Sequence, residues 1–332
     1  MNVALVKLSS LGDVVHALPV AATLRARLPQ ARLTWIVERR EAAVLAGHPA
    51  LDEVVTVDTR GWRRSRSPAA LAGTARALRE LAHHLAGARF DVALDLQGLI
   101  KSGILVALTR APLRIGFQVL SCREPLGALF TNRRVPRPRG VHVVEQYLAL
   151  AGAMGIAEPV KDFRLPSDPA AESSVDEFFG AAGIKPRNRV VVLNPGAGRP
   201  SKRWPVERFR ALAAQLAGEV GAHVLVVWGP GEEALARTIA APPSSRVVLG
   251  PPTTLAQLIG VLRRASLLVA ADTGPLHLAA ALGTPCLGLY GPTDPSRNGP
   301  YGPGHRTLRG ADHQMTSIDV EPVFRAATGL LA

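Results

Sequence analysis

The sequence predicts an α/β protein built from two doubly wound parallel sheets. Three observations predict it. Short apolar runs alternate with longer amphipathic stretches, the rhythm of parallel βαβ units. The rhythm runs twice, interrupted over about 153–188 by a polar stretch bearing Glu158-Pro159, Leu165-Pro166 and Lys185-Pro186. The length, 332 residues, is that of two domains at roughly 100–200 residues each.

The first half opens on an apolar run at 2–7 and repeats it at 33–37, 54–57, 91–95 and 113–116; these are the predicted strands. Helices are predicted between them at about 14–28, 68–86 and 98–110. The second is punctuated at its start by Ser67 as N-cap and Pro68 as first helical residue. The second half predicts strands at 189–193, 223–228, 247–249, 267–270 and 286–290, with helices at about 205–219, 231–240, 254–264 and 275–282. Pro205 marks a helix start. The stretch 318–331 reads as a last helix. Open parallel sheets bind ligands beyond the carboxyl ends of their strands, and two such domains facing each other make a cleft for a pair of substrates.

Composition narrows the function. Hydrophobic residues make up 47% and charged residues 20%, so a core forms and bulk disorder is excluded. Lys and Arg number 39 against 26 Asp and Glu, a net charge of +13, and only five of the 39 are lysines. Arginine grips phosphate and carboxylate in a bidentate fork, so the excess suits an anionic partner: nucleic acid, a membrane surface or a phosphorylated substrate. Base composition of the genome accounts for an Arg-over-Lys bias equally well. Cys122 and Cys286 stand far apart, which argues against a disulfide scaffold and fits a reducing compartment. The N-terminus does not read as a signal peptide, and no run of 18 apolar residues occurs, so the expected location is the cytoplasm.

Four polar clusters stand where strands end. Lys7-Leu8-Ser9-Ser10-Leu11-Gly12-Asp13 follows the first strand, and Asp13 is either a helix N-cap or a general base at a strand's carboxyl end. Asn194-Pro195-Gly196-Ala197-Gly198 and Ser201-Lys202-Arg203-Trp204-Pro205 follow the first strand of the second half. The dinucleotide fingerprint lacks its third glycine there, which leaves an anion-binding loop or an ordinary basic one. In Asp272-Thr273-Gly274-Pro275-Leu276-His277, Thr273 and Gly274 aim a helix N-terminus at an anion, or Asp272 or Thr273 merely caps with His277 packed. Arg60-Gly61-Trp62-Arg63-Arg64-Ser65-Arg66 is a basic loop, either solvated or serving an anionic acceptor. No Asp-x-Asp is present to hold a divalent metal, and His83-His84 does not share a helix face.

Taken together, these residues resemble the glycosyltransferase family 9 heptosyltransferases of lipopolysaccharide core synthesis, over nearly the whole length. The resemblance is carried by Lys7-Leu-Ser-Ser-Leu-Gly-Asp13-Val-Val-His16, Asp95-x-Gln97-Gly98-x-x-Lys101-Ser102, Arg123-Glu-Pro-Leu with Asn132-Arg133, Lys202-Arg-Trp204-Pro205, Asp272-Thr-Gly-x-x-His277 and Tyr290-Gly-Pro-Thr-Asp294-Pro. It implies the GT-B fold: an acceptor domain over 1–165, a nucleotide-sugar domain over 186–317, and the terminal helix, about 318–332, as a candidate to pack back on the first. It implies inverting transfer of L-glycero-D-manno-heptose from ADP-heptose to Kdo on lipid A, at an anionic membrane surface on the cytoplasmic face of the inner membrane. The N-terminal motifs match the family's heptosyltransferase I branch. The loop at 194–198 is more like the heptosyltransferase II branch.

By the same resemblance Asp13 is the catalytic base. Lys202, Thr273, Gly274 and His277 hold the donor diphosphate, Asp272 lies near the donor sugar and Glu232 near the ribose. Ser10, Arg60, Arg63, Lys101 and Arg123 fall on the acceptor side. No metal or cofactor is expected, nor nucleic acid as a partner, and a monomer is expected. The rival readings are another family 9 transferase, a sugar-nucleotide epimerase of like architecture, and a nucleic-acid-binding protein; against the last, there is no basic-aromatic or helix-turn-helix pattern.

Overall fold

Val3, Ala4, Leu5 and Val6 are fully buried. They form β1 (Asn2–Val6), which lies between two parallel neighbours. A strand covered on both faces needs an unbroken apolar run, and this one has it. The computed structural model describes the whole chain apart from Ser65, Arg66 and Pro243 and, within helices, the side chains of Arg63, Arg64, Pro68 and Ala69.

Two units result, Met1–Pro166 and Ser167–Ala332. The first runs β1, α1 (Leu11–Arg27), β2 (Arg32–Glu38), β3 (Glu53–Val57), α2 (Thr59–Arg64), α3 (Pro68–Gly87), β4 (Val92–Asp95), α4 (Ile100–Leu108), β5 (Leu113–Phe117), β6 (Arg133–Val135) and α5 (Val143–Gly152). Its sheet has the order β3-β2-β1-β4-β5-β6, parallel throughout. One core joins Ala4, Val6, Ile36, Val55 and Val57 to Leu85 of α3 and to Leu105 and Val106 of α4. Helix α1 is buried almost all round, and α5 packs on it.

The second unit runs α6 (Pro169–Ala181), β7 (Val190–Asn194), α7 (Val206–Gly218), β8 (His223–Val226), α8 (Glu233–Ile239), β9 (Val247–Leu249), α9 (Leu255–Arg264), β10 (Leu267–Ala271), α10 (Gly274–Ala281), β11 (Cys286–Tyr290), α11 (Pro295–Asn298), β12 (His305–Arg309) and α12 (Val320–Leu331). Its sheet order is β12-β11-β10-β7-β8-β9. Counted within the unit, this repeats the first sheet's winding. In each, the order reverses beside the first strand, between β1 and β4 and between β7 and β10. Such a switch point opens a crevice at the strands' carboxyl ends, where this class of sheet takes its ligands.

The structure adds to three expectations. The terminal helix has its core partners in the second unit: Val323, Ala326 and Ala327 of α12 are buried with Val191, Leu193, Phe209 and Leu212. The approach to it is fixed by Trp204, whose indole N–H donates to Ile318 O at 2.8 Å, and by Arg208, which donates to Thr316 O and pairs with Asp319 at 3.1 Å. An amphipathic stripe says that a helix packs, not on what.

The stretch 153–188, expected as a connection around a helix or two, holds one helix, α6. Up to Pro166 it lies on the first unit, where Thr23 exchanges hydrogen bonds with Val160 and His48 Nε2 meets Phe163 O at 2.9 Å. Helix α6 then docks on α9, with Arg264 bonded to Glu172 and Asp176. Finally, 59–64 is a helix, α2, and not a loop. Asp58 Oδ1 accepts from Gly61 N at 2.8 Å and supplies the turn's N-terminal partner. Ser65 and Arg66 of the same basic stretch lie outside the described residues.

Candidate active site

At the first switch point the chain leaves β1 at Val6, turns through 7–10 and starts α1 at Leu11. The N-cap of α1 is Ser10, not Asp13. Asp13 is the third helical residue, and its Oδ2 accepts from Ser10 N at 3.1 Å and Ser10 Oγ at 2.9 Å. That is the reach-back of a capping box, and an acidic side chain is favoured in a first turn. Its other oxygen, Oδ1, accepts from Tyr147 Oη at 3.3 Å and lies 3.9 Å from Lys7 Nζ. The side chain remains 40% exposed. The helix therefore holds one oxygen, and the other faces a cation and a phenol.

Tyr147 comes from α5 and Lys7 from the end of β1, and both are buried. Lys7 Nζ donates to Tyr147 Oη at 2.7 Å and to Leu96 O at 3.3 Å, and lies 4.6 Å from the Tyr147 ring centroid. Burial pushes the Tyr147 phenol above its ordinary pKa, with Lys7 opposing and Asp13 adding. It therefore stays a donor toward Asp13. The loop after β4 pins this turn: Gln97 Oε1 accepts from Leu8 N and Ser9 N at 3.0 and 3.3 Å. Asp95, fully enclosed, accepts from Gln97 N, Gly98 N and Ser102 Oγ. Its pKa is raised by burial, which outweighs those bonds and the nearby Lys7.

Other acceptor-side candidates ring the same edge. Lys101 Nζ bonds Glu38 Oε1 and Thr59 Oγ1, both at 3.1 Å, tying α4 to the end of β2 and the start of α2. Arg60, beside Thr59, is exposed on α2, and Arg123 is exposed ahead of the 3₁₀ segment Pro125–Phe130. The Arg63 side chain lies outside the described residues.

The second switch point gathers the donor candidates. Lys202 Nζ meets Asp272 Oδ2 at 2.5 Å, His277 Nε2 meets Asp272 Oδ1 at 3.1 Å, and Asn298 Nδ2 donates to that oxygen at 2.9 Å. Burial works against an ionised Asp272, but the bonds and charges of His277 and Lys202 outweigh it and hold its carboxyl well below the ordinary range. Thr273 is the N-cap of α10 but does not cap with its side chain; its Oγ1 donates to Ala271 O at 3.1 Å. The helix start at Gly274 is thus left to another partner. Neither Asp272 nor Thr273 is a side-chain cap. Glu232, in the loop after β8, lies against the loop after β7: Gly229 N donates to its Oε2 at 3.0 Å, and a Cβ on Gly196 would run into its carboxylate. A side chain there, in the loop after β7, would have to push that carboxylate aside. The loop runs into a 3₁₀ turn at Pro200–Lys202 and reaches α7 only at Val206, so Gly196-x-Gly198 does not abut a helix as a dinucleotide fingerprint does.

Lys202, Asp272, Thr273, Gly274 and His277 therefore meet in one place, with Glu232 against the adjoining loop. Ser10 and Asp13 meet at the other switch point. Tyr147 and Asn298 went unassigned in the sequence. Asn298 carried a signal, since Asp294-Pro295 is a cap and first-turn proline opening α11. Tyr147 carried only the helical spacing of 143–151. Among the described residues, no group of three or more His, Cys, Asp or Glu side chains is arranged to hold a metal ion, and no helix is long and apolar enough to cross a membrane.

Two Rossmann-type sheets in one chain, each presenting polar loops at its switch point, define the GT-B class of enzyme. The solved structure of the Escherichia coli heptosyltransferase WaaC with ADP matches at a TM-score of 0.84 and 29% identity, over 99% of this chain and 100% of that one. Lipopolysaccharide heptosyltransferase 1 of Escherichia coli strain K12 is 31% identical over 99% of this chain and 100% of its own length. That of Pseudomonas aeruginosa is 35% identical over 91% and 82%. The model of glycosyltransferase family 9 (heptosyltransferase) matches residues 78–324. The chain belongs to glycosyltransferase family 9 and is a glycosyltransferase.

Proposed function

We propose that this enzyme transfers L-glycero-D-manno-heptose from ADP-heptose to Kdo of the lipid A-linked inner core, with inversion, and that Asp13 is the base. One observation carries the mechanism: a partly exposed carboxylate held at a sheet's switch point, bonded on one oxygen by its own helix start and facing Lys7 and Tyr147 on the other. The relatives named lipopolysaccharide heptosyltransferase 1 support the substrate class, as does a second WaaC structure, solved with ADP-2-deoxy-2-fluoro heptose, at a TM-score of 0.82 and 29% identity.

Asp13 takes the proton of the acceptor hydroxyl as its oxygen bonds to the anomeric carbon. The bond from that carbon to the diphosphate oxygen breaks, and the electron pair leaves with ADP. Negative charge grows on the diphosphate, and Lys202 and the N-terminus of α10 at Thr273 and Gly274 stabilise it. Lys202 turns from Asp272 toward the phosphates when donor is bound. Glu232 serves the ribose side. Ser10, Arg60, Arg63, Lys101 and Arg123 serve an acceptor rich in phosphate and carboxylate, and the enzyme works at the cytoplasmic face of the inner membrane without a divalent metal.

Incubation with ADP-heptose and Kdo-lipid A, read by mass spectrometry, should show the acceptor gain one heptose. Intact donor and an unchanged acceptor would refute the reading. A panel of acceptors already carrying a first heptose separates the two branches of the family.

A further inference from the structure

Large aliphatic side chains that stay in water need a reason when they gather. Among the described residues, Ile100, Ile104, Leu120, Leu126 and Leu129 are all exposed, Leu120 to 96% and Leu126 and Leu129 to 61% and 66%. They come from one place. Ile100 and Ile104 stand four apart on α4, on one face. Leu126 and Leu129 stand three apart in the 3₁₀ segment Pro125–Phe130, where such residues eclipse. That segment packs on α4 and on the short turn Val119–Ser121 that carries Leu120.

The exposure is built in. Gly127 and Ala128 are buried, while the leucines on either side are exposed. A Cβ on Gly127 would meet the Leu99 carbonyl carbon at 2.7 Å. The segment thus buries its smallest residues and shows its aliphatic ones, the reverse of what folding favours. Ile100 N donates to Glu124 Oε2 at 2.8 Å and Arg134 Nε to Ala128 O at 3.1 Å, which fix it in that orientation.

The surroundings are basic. Residues 96–142 hold seven arginines and one lysine against a single acid, Glu124, itself engaged with Ile100 N. Arg123, Arg133 and Arg139 are exposed. A second copy of the chain would bring the same positive charge to a self-complementary contact, which opposes dimerisation. Single-stranded nucleic acid wants exposed aromatic platforms, and the patch is aliphatic. Aliphatic side chains ringed by arginine suit a bilayer with anionic headgroups: the leucines enter the acyl boundary and the arginines meet the phosphates.

We propose that α4 and the two 3₁₀ segments after β5 form a face that docks on an anionic lipid bilayer. The inference rests on the function proposed above in one respect: Arg123, on the acceptor side, lies between Leu120 and Leu126, so a lipid-anchored acceptor would meet the enzyme where it meets the membrane.

The test uses the full chain, vesicles without acceptor, and L120S/L126S/L129S. All three side chains are exposed, and an unchanged melting temperature confirms that the variant folds. The unaltered protein should bind vesicles of phosphatidylethanolamine with phosphatidylglycerol, bind phosphatidylcholine vesicles poorly, and lose binding as salt rises. The variant should bind the anionic vesicles at least about tenfold more weakly. Equal binding by the two proteins, or no preference for anionic lipid, overturns the proposal. So does a dimer seen by light scattering that the variant abolishes while vesicles go unbound. Transfer to an acceptor stripped of its acyl chains should be the same for both proteins; no transfer by either refutes the proposed function and leaves the vesicle result to decide docking.

Discussion

Asp13 has two duties that one substitution separates. It holds the start of α1 through Ser10, and it offers Oδ1 to a proton. Asp13→Asn keeps an oxygen for the Ser10 N–H but is no base. We expect kcat to fall at least about a hundredfold, with donor binding and thermal stability largely kept, as steady-state kinetics and ADP titration would show. Near-normal turnover would leave Asp13 a helix-start residue only. Asp272 makes a pH prediction. Its folded pKa lies below its unfolded one, so the folded state holds that proton less tightly. Its contribution is therefore present above about pH 4 and is lost as pH falls through the folded value. Asp272→Asn should cost about 3 kcal/mol near pH 7, where it strands Lys202 beside a neutral group, and denaturant midpoints of the two proteins should converge in acid.

At the scale of elements, the proposed mechanism assigns to the first turn of α10 and the lysine beside it the work that a cation would do for a leaving diphosphate. Turnover should therefore survive EDTA; complete loss that Mg²⁺ or Mn²⁺ restores would show that charge on the leaving group needs a metal after all. The central elements were legible in the sequence because strands buried on both faces read as plain apolar runs, as in β1, β7 and β10. The edges were not. β6 is Arg-Arg-Val and β12 is His-Arg-Thr-Leu-Arg, half wet and without an apolar run. The short helix α2 read as a loop because four arginines and no periodicity fill 60–66. Asp13, Lys202 and the residues at 272–277 could be picked out as candidates because each stands in the segment that follows a strand's carboxyl end. Tyr147 lies 140 positions from its partner Lys7, on a helix whose spacing marks a buried face but no chemistry, and only the folded chain joins them.

At the scale of the whole molecule, each unit has its own six-stranded sheet. The donor candidates all lie in the second unit and Asp13 with the acceptor candidates in the first. Residues 167–332 produced alone should fold and bind ADP, and residues 1–166 alone should not bind it; calorimetric titration of each checks this. ADP binding by the first unit would reverse the assignment of donor and acceptor.

The placing of α12 bears on how the protein is made. Its Val323, Ala326 and Ala327 close the core against α7, which leaves the ribosome long before it, and against β10, β11 and β12, which follow α7. The first unit carries its own sheet and core within Met1–Pro166 and can settle during translation. Until α12 emerges, the part of the second unit's core that it covers stays open, and there a chaperone would hold the nascent chain.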